Sequence, residues 1–127
     1  AYHRSGDTSL TAPGSRIEGI GRPRVEPSFI RTLVERMVEV PDADSVAAMQ
    51  ALSQLLGRRV GPSTGTNFVA MLELAGEMRQ RGEQGSILSL LCDAGERYLP
   101  TYFDPAWVQE RFGDCAPARA RVDALLA

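Results

Sequence analysis

The spacing of apolar side chains predicts two amphipathic helices in the middle of this 127-residue chain. The first begins after Pro41 and ends at Gly57, and one of its faces carries Val46, Met49, Leu52 and Leu56. The second follows residues 61–67 and ends at Gly82, and one of its faces carries Phe68, Met71, Leu72, Ala75 and Met78. A glycine just past the last apolar position is a common helix end, because glycine adopts the left-handed conformation without strain.

Two shorter segments on either side of these helices have the pattern of β-strands. Residues 35–40 alternate polar and apolar side chains toward their end, and residues 86–92 form the nearly continuous apolar run of a strand covered on both faces. Asp42 or Asp44 would cap the first helix. The order strand, helix, helix, strand predicts an α/β fold with parallel strands and helices packed on the sheet. Ligands would bind beyond the carboxyl ends of the strands, beside the loop at residues 61–67.

The N-terminal part of the chain is less regular. Residues 1–28 are rich in Gly, Pro, Ser and Arg and predict an extended segment, whereas residues 29–127 hold the α/β part of a single domain. Inside the extended segment, residues 19–21 (Gly-Ile-Gly) suit a tight bend that lets a ligand approach the main chain closely. The same tripeptide also suits a simple turn.

The content of reactive side chains excludes several kinds of chemistry. All fourteen basic residues are arginine, so this chain alone cannot form a Schiff base, which needs a lysine amine. His3 is the single histidine, and Cys92 and Cys115 are the two cysteines. A zinc site built from protein ligands needs three or four such side chains, and we therefore exclude one.

Charge and hydropathy narrow the possible partners and location. The net charge of −2 leaves no basic stripe for nucleic acid and no polybasic patch for a membrane surface. The sequence contains no run of about 18 apolar residues, so it predicts no membrane-spanning helix. Two thiols are too few for a secreted disulfide framework, which favours the reducing cytoplasm.

The loop at residues 61–65 (Gly-Pro-Ser-Thr-Gly) matches the G-x-S-x-G nucleophile elbow of α/β-hydrolases. That elbow needs a hydrophobic strand before it and a histidine base after it, and this chain has neither. The loop can instead offer hydroxyl and amide donors from Ser63 and Thr64 to an anion or a ring nitrogen at a helix N-terminus. Alternatively, Ser63 or Thr64 is only the N-cap of the second helix.

Three motifs in order resemble the C-terminal part of the pyridoxal-phosphate-dependent cysteine synthase and cystathionine β-synthase family, of fold type II. They are residues 19–21, residues 61–65 and residues 93–99 (Asp-Ala-Gly-Glu-Arg-Tyr-Leu), and the resemblance covers about residues 15–103. It implies that Ser63 hydrogen-bonds the pyridine nitrogen of pyridoxal phosphate. It also places Gly61, Thr64 and Asp93 at the cofactor, and Gly19, Ile20 and Gly21 beside the amino group of an amino-acid substrate.

The resemblance further implies an enzyme that catalyses β-elimination or β-replacement on cysteine or an activated serine. The family's Schiff-base lysine, substrate-carboxylate loop and phosphate loop all lie upstream of the matched region, so an upstream half would have to supply them, and residues 29–127 would be an incomplete part of the cofactor domain. Residues 22–24 (Arg-Pro-Arg) resemble the cysteine-synthase-like and cysteine desulfhydrase members. Members of the family are usually homodimers. Because lysine is absent, the alternative is a non-catalytic remnant or interaction module of the same fold.

Overall fold

The computed structural model describes residues 2–127, which form two units. One unit ends at Glu39, and the other runs from Val40 to Ala127. The helices, in chain order, are α1 (Tyr2–Ser5), α2 (Asp42–Leu56), α3 (Pro62–Gln80), α4 (Pro105–Phe112) and α5 (Ala116–Leu126). Two 3₁₀ turns lie at Arg31–Leu33 and Gly95–Tyr98. No helix within residues 2–127 has the length and apolar character needed to cross a membrane.

The core of the second unit lies between α2, α3 and α5. Small side chains allow the first two of these helices to approach closely. A Cβ atom on Gly65 would lie only 2.0 Å from the carbonyl oxygen of Ser45 and 2.8 Å from the backbone nitrogen of Met49. The buried core side chains are Ala47, Ala48, Ala51, Phe68, Val69, Leu72, Ala118 and Val122. The two helices predicted from apolar spacing are therefore confirmed, and their packing uses glycine and alanine at the closest contact.

One of the two predictions for the ends of α2 is confirmed and the other is wrong. Gly57 has the left-handed conformation (φ = 63°) and ends α2 as predicted. The cap prediction for α2 is wrong, because the N-cap residue is Pro41 and no side chain caps the helix. Asp42 and Asp44 instead lie inside its first turn, where the helix dipole favours negative charge. The buried Asp44 carboxylate also forms an ion pair with Arg121 of α5.

The prediction of an α/β fold is wrong for this chain. Among residues 2–127 the structure contains no β-strand, and its two isolated antiparallel bridges join Thr11 to Arg24 and Val60 to Ala94. Residues 35–40 and residues 86–92 both lack regular structure. The second segment also leaves apolar side chains in solvent, with Leu88 96% exposed.

The physical reason lies in the pairing that a strand needs. An apolar run is a local signal, whereas a β-ladder forms only when a second extended segment supplies the hydrogen-bond partners. Residues 86–92 find single hydrogen bonds instead of a ladder. Asn67 Nδ2 contacts the Leu90 carbonyl oxygen at 3.3 Å, and the Cys92 N–H donates to Thr64 Oγ1 at 3.0 Å.

Candidate functional site

The N-terminus of α3 presents a serine, Ser63, whose hydroxyl forms no hydrogen bond with another described residue. The helix begins at Pro62, whose fixed φ suits the first helical position, and Gly61 is the N-cap residue in an extended conformation. Among the described residues, no side chain caps this end. Ser63 therefore lies within the first turn, is half-buried, and makes no hydrogen bond through its hydroxyl to another residue in the range 2–127. The interpretation of Ser63 or Thr64 as a simple N-cap is wrong.

The segment at residues 92–93 is held against this helix end by two hydrogen bonds. The backbone N–H of Cys92 donates to Thr64 Oγ1 at 3.0 Å, and the backbone N–H of Gly61 donates to the Asp93 carbonyl oxygen at 2.9 Å. We call the four residues Gly61, Ser63, Thr64 and Asp93 the serine-loop cluster. The structure thus brings together all four residues that the resemblance assigned to the cofactor.

The Asp93 carboxylate packs directly on the backbone of Gly61. A Cβ atom at residue 61 would lie 1.8 Å from Asp93 Oδ1, so the contact requires glycine. Asp93 Oδ2 accepts a hydrogen bond from the Tyr98 hydroxyl at 2.7 Å. Asp93 Oδ1 is buried and has no hydrogen-bond partner among residues 2–127. A carboxylate at this place is favoured by the positive end of the α3 dipole.

The 3₁₀ turn Gly95–Tyr98 supports the Asp93 side of the cluster. The N–H of Gly95 donates to the Arg59 carbonyl oxygen at 3.2 Å, next to the isolated bridge between Val60 and Ala94. Tyr98 is 4% exposed, and its ring meets the ring of Tyr102 edge to face at 5.4 Å. Sequence reasoning named Asp93 and missed Tyr98. A buried tyrosine usually finds a partner for its hydroxyl, and that was the available signal.

The three residues predicted to lie beside the substrate belong to the first unit. Gly19 and Gly21 have positive φ values of 87° and 69°, and Ile20 lies between them. The Ser15 N–H donates to the Gly21 carbonyl oxygen at 3.1 Å, and a Cβ on Gly21 would lie 2.2 Å from Ser15 Cβ. This tight bend, centred near the buried Ile17, is the conformation predicted from the Gly-Ile-Gly tripeptide.

A comparison with protein families shows which family the chain belongs to. The family model described as pyridoxal-phosphate dependent enzyme matches residues 2–93, which include the Gly-Ile-Gly bend and the whole serine-loop cluster. The chain belongs to the pyridoxal-phosphate dependent enzyme family. The resemblance drawn from three short motifs is thereby confirmed, and pyridoxal phosphate is the cofactor of this family.

Individual members of the family are similar to the chain over most of its length. L-cysteine desulfhydrase Cds1 of Mycobacterium tuberculosis (strain ATCC 25177 / H37Ra) is 56% identical over 124 residues, covering 97% of this chain and 34% of that protein. Cysteine synthase 1 of Neurospora crassa is 26% identical over 114 residues, covering 87% of this chain and 30% of that protein.

A third relative is named for a different activity. N-(2-amino-2-carboxyethyl)-L-glutamate synthase of Ralstonia nicotianae is 32% identical over 97 residues, covering 76% of this chain and 28% of that protein. The chain spans about a third of the length of these curated relatives or less. Each of these relatives is therefore similar to the chain over only a part of its own length.

Proposed function

We propose that this chain is the C-terminal segment of a pyridoxal-phosphate enzyme that catalyses β-elimination or β-replacement on cysteine or an activated serine. The observation that carries the proposal is the uncommitted, half-buried hydroxyl of Ser63 at the N-terminus of α3. The similarity to a cysteine desulfhydrase and a cysteine synthase supports the choice of substrate class. Desulfhydration is the favoured direction, because the desulfhydrase shares more than half of its aligned residues with this chain.

The residues of the cluster fit the ring end of the cofactor. When it is bound, pyridoxal phosphate supplies an electron sink for bonds at the α-carbon of the amino acid. Ser63 would meet the pyridine nitrogen with a neutral hydroxyl, which cannot hold that nitrogen protonated as a carboxylate would. This weakens the electron sink and suits elimination at the β-carbon. Gly61 and Thr64 fix the loop on both sides of Ser63 through their hydrogen bonds to residues 92–93.

The remaining parts of the catalytic site would come from an upstream segment, either in the same gene product or in a separate polypeptide. That segment would carry the lysine that holds the cofactor covalently and removes the α-proton, since this chain has no lysine. The greater length of the relatives supports it. Three exposed leucines also support it, because they form an apolar surface that a further segment could cover: Leu88, Leu90 and Leu91.

The same proposal assigns roles to the first unit and to the assembly. The backbone of Gly19, Ile20 and Gly21 would lie beside the amino group of the substrate, and the open space beside the Cα of Gly19 would allow such an approach. A homodimer in the cytoplasm remains our prediction for the complete enzyme. A non-catalytic remnant is the second candidate, and the absence of lysine is the observation in its favour.

Reconstitution separates the two candidates. The chain is mixed with the lysine-bearing polypeptide encoded upstream, or the two are expressed as one, and then supplied with pyridoxal phosphate and L-cysteine. We expect the assembled protein to bind the cofactor and to release sulfide, while each part alone releases none. An intact mass of 13.8 kDa for a single species that stays colourless with added cofactor, and that captures no second polypeptide, would support the remnant.

A further inference from the structure

Tyr98 reaches the serine-loop cluster through Asp93, and we propose that it is a positioning residue for Ser63. The inference rests on the proposed function, because it concerns the place at which Ser63 offers its hydroxyl to the cofactor ring. Tyr98 lies 35 positions after Ser63 in the chain and would not itself touch the cofactor in this role. Its effect passes through the Asp93 side chain and the contacts of residues 92–93 with Gly61 and Thr64.

The first step is the anchoring of the Tyr98 ring. The residue is buried, its ring contacts the ring of Tyr102 at 5.4 Å, and the guanidinium of Arg97 lies 5.2 Å from the ring centroid. Tyr102 in turn packs against Trp107 and Phe112 of α4 at centroid distances of 5.0 and 5.9 Å. The ring that carries the Tyr98 hydroxyl is therefore packed in an aromatic cluster.

The second step is the hydrogen bond from the Tyr98 hydroxyl to Asp93 Oδ2 at 2.7 Å. Among residues 2–127 this hydroxyl is the one hydrogen-bond donor to the carboxylate, since Oδ1 has no partner. A partly buried carboxylate that loses its donor is costly to keep in place. Without the hydroxyl, we expect the Asp93 side chain to turn toward solvent and to withdraw from Gly61.

The third step links Asp93 to both sides of Ser63. Its Oδ1 packs on the Cα side of Gly61, and its carbonyl oxygen accepts the Gly61 N–H at 2.9 Å. The neighbouring Cys92 N–H donates to Thr64 Oγ1 at 3.0 Å. Residues 61 and 64 are thus both fixed by residues 92–93, and Ser63 lies between them. Movement of Asp93 therefore moves the backbone that carries the Ser63 hydroxyl.

The first arm of the test uses the chain alone and needs no cofactor. Tyr98→Phe keeps the ring and removes the hydroxyl, and amide hydrogen exchange is followed at Gly61 and Cys92. We expect both amides to exchange faster, while amides in the α2 core keep their rates. Tyr2→Phe makes the same chemical change in the first unit and serves as the control. Unchanged exchange at both amides would overturn the linkage.

The second arm measures pyridoxal phosphate affinity by fluorescence in the assembled protein. Tyr98→Phe should weaken binding by roughly three- to tenfold, because the Ser63 hydroxyl is displaced from the ring nitrogen. Combined with Ser63→Ala, it should add nothing to the loss caused by Ser63→Ala alone, since the displaced hydroxyl is already absent.

The outcomes separate this inference from the proposed function. If Ser63→Ala itself leaves the affinity unchanged, the placement of the cofactor against α3 is wrong. If Ser63→Ala weakens binding and Tyr98→Phe has no effect, only the positioning role is overturned. The same holds if the double variant binds more weakly than Ser63→Ala alone, because the two losses are then independent. Should Tyr98→Phe fail to fold, Asp93→Ala removes the same hydrogen bond from the other side and is tested by both arms.

Discussion

Thr64 Oγ1 accepts a hydrogen bond from the backbone N–H of Cys92 at 3.0 Å, across 28 positions of the sequence. The bond joins the first turn of α3 to the end of the apolar segment at residues 86–92. Thr64 is 2% exposed, so its hydroxyl is enclosed at this contact. The Thr64 side chain therefore holds the first turn of α3, which also carries Ser63, against residue 92.

Thr64→Val should destabilise the chain by about 0.5–1.5 kcal/mol, because it removes the acceptor of the Cys92 N–H at a partly buried contact. Valine has nearly the same shape as threonine, so little packing is lost. Thr64→Ser keeps the hydroxyl and should retain most of the stability. Urea unfolding of the three proteins measures the differences. Equal free energies of unfolding for Thr64→Val and Thr64→Ser would contradict the role of this bond.

Two glycines in α3 should respond to alanine in opposite directions. Gly65→Ala places a methyl group 2.0 Å from the Ser45 carbonyl oxygen and should cost about 1–3 kcal/mol, since α2 and α3 must move apart. Gly76→Ala meets no atom within 4 Å and should stabilise the helix by about 0.5–1 kcal/mol. Thermal melting checks both variants. A stabilised Gly65→Ala would show that the two helices are not in close contact there.

The sequence allowed the positions of the helices to be predicted. It did not allow the contacts between distant segments to be predicted. Apolar spacing located α2 and α3, and the predicted glycine end of α2 is confirmed at Gly57. The strand at residues 86–92 was predicted wrongly, because alternation and apolar content do not say whether a partner segment is present. The hydrogen bond between Asp93 and Tyr98 was missed for the same reason, because the sequence does not indicate which acceptor a tyrosine hydroxyl will bind.

The apolar segment at residues 86–92 should make the isolated chain associate. Leu88 and Leu90 are both largely exposed, and an exposed apolar patch favours contact between copies. Leu88→Asp should reduce the apparent mass measured by light scattering at a fixed concentration. Ser89→Asp adds the same charge to the same exposed segment without removing an apolar side chain, so its effect should be clearly smaller. A monomeric unchanged chain with a sharp cooperative melt would contradict the prediction.

The two free thiols should react at different rates. Burial, together with the carboxylates of Asp114 and Asp44, raises the pKa of the Cys115 thiol, so its thiolate fraction is reduced at neutral and mildly alkaline pH. Cys92 is exposed. Iodoacetamide at pH 8, followed by peptide mass spectrometry, should therefore modify Cys92 first. The Cys115 rate should continue to rise with pH above the ordinary thiol pKa. Faster labelling of Cys115 would place its side chain outside the half-buried site observed here.

One measurement tests most directly whether α3 presents its serine to the cofactor ring. It is a fluorescence titration of the assembled Ser63→Ala protein with pyridoxal phosphate, which gives the affinity for the cofactor. Loss of the hydroxyl leaves a buried ring nitrogen without its partner, which costs about 1–3 kcal/mol, or a roughly five- to 150-fold weaker affinity. Ser63→Thr retains a hydroxyl and should remain within a few-fold of the unchanged protein. A dissociation constant that rises for Ser63→Ala and not for Ser63→Thr is the result we predict. An unchanged dissociation constant for Ser63→Ala would contradict the assignment of Ser63 to the cofactor.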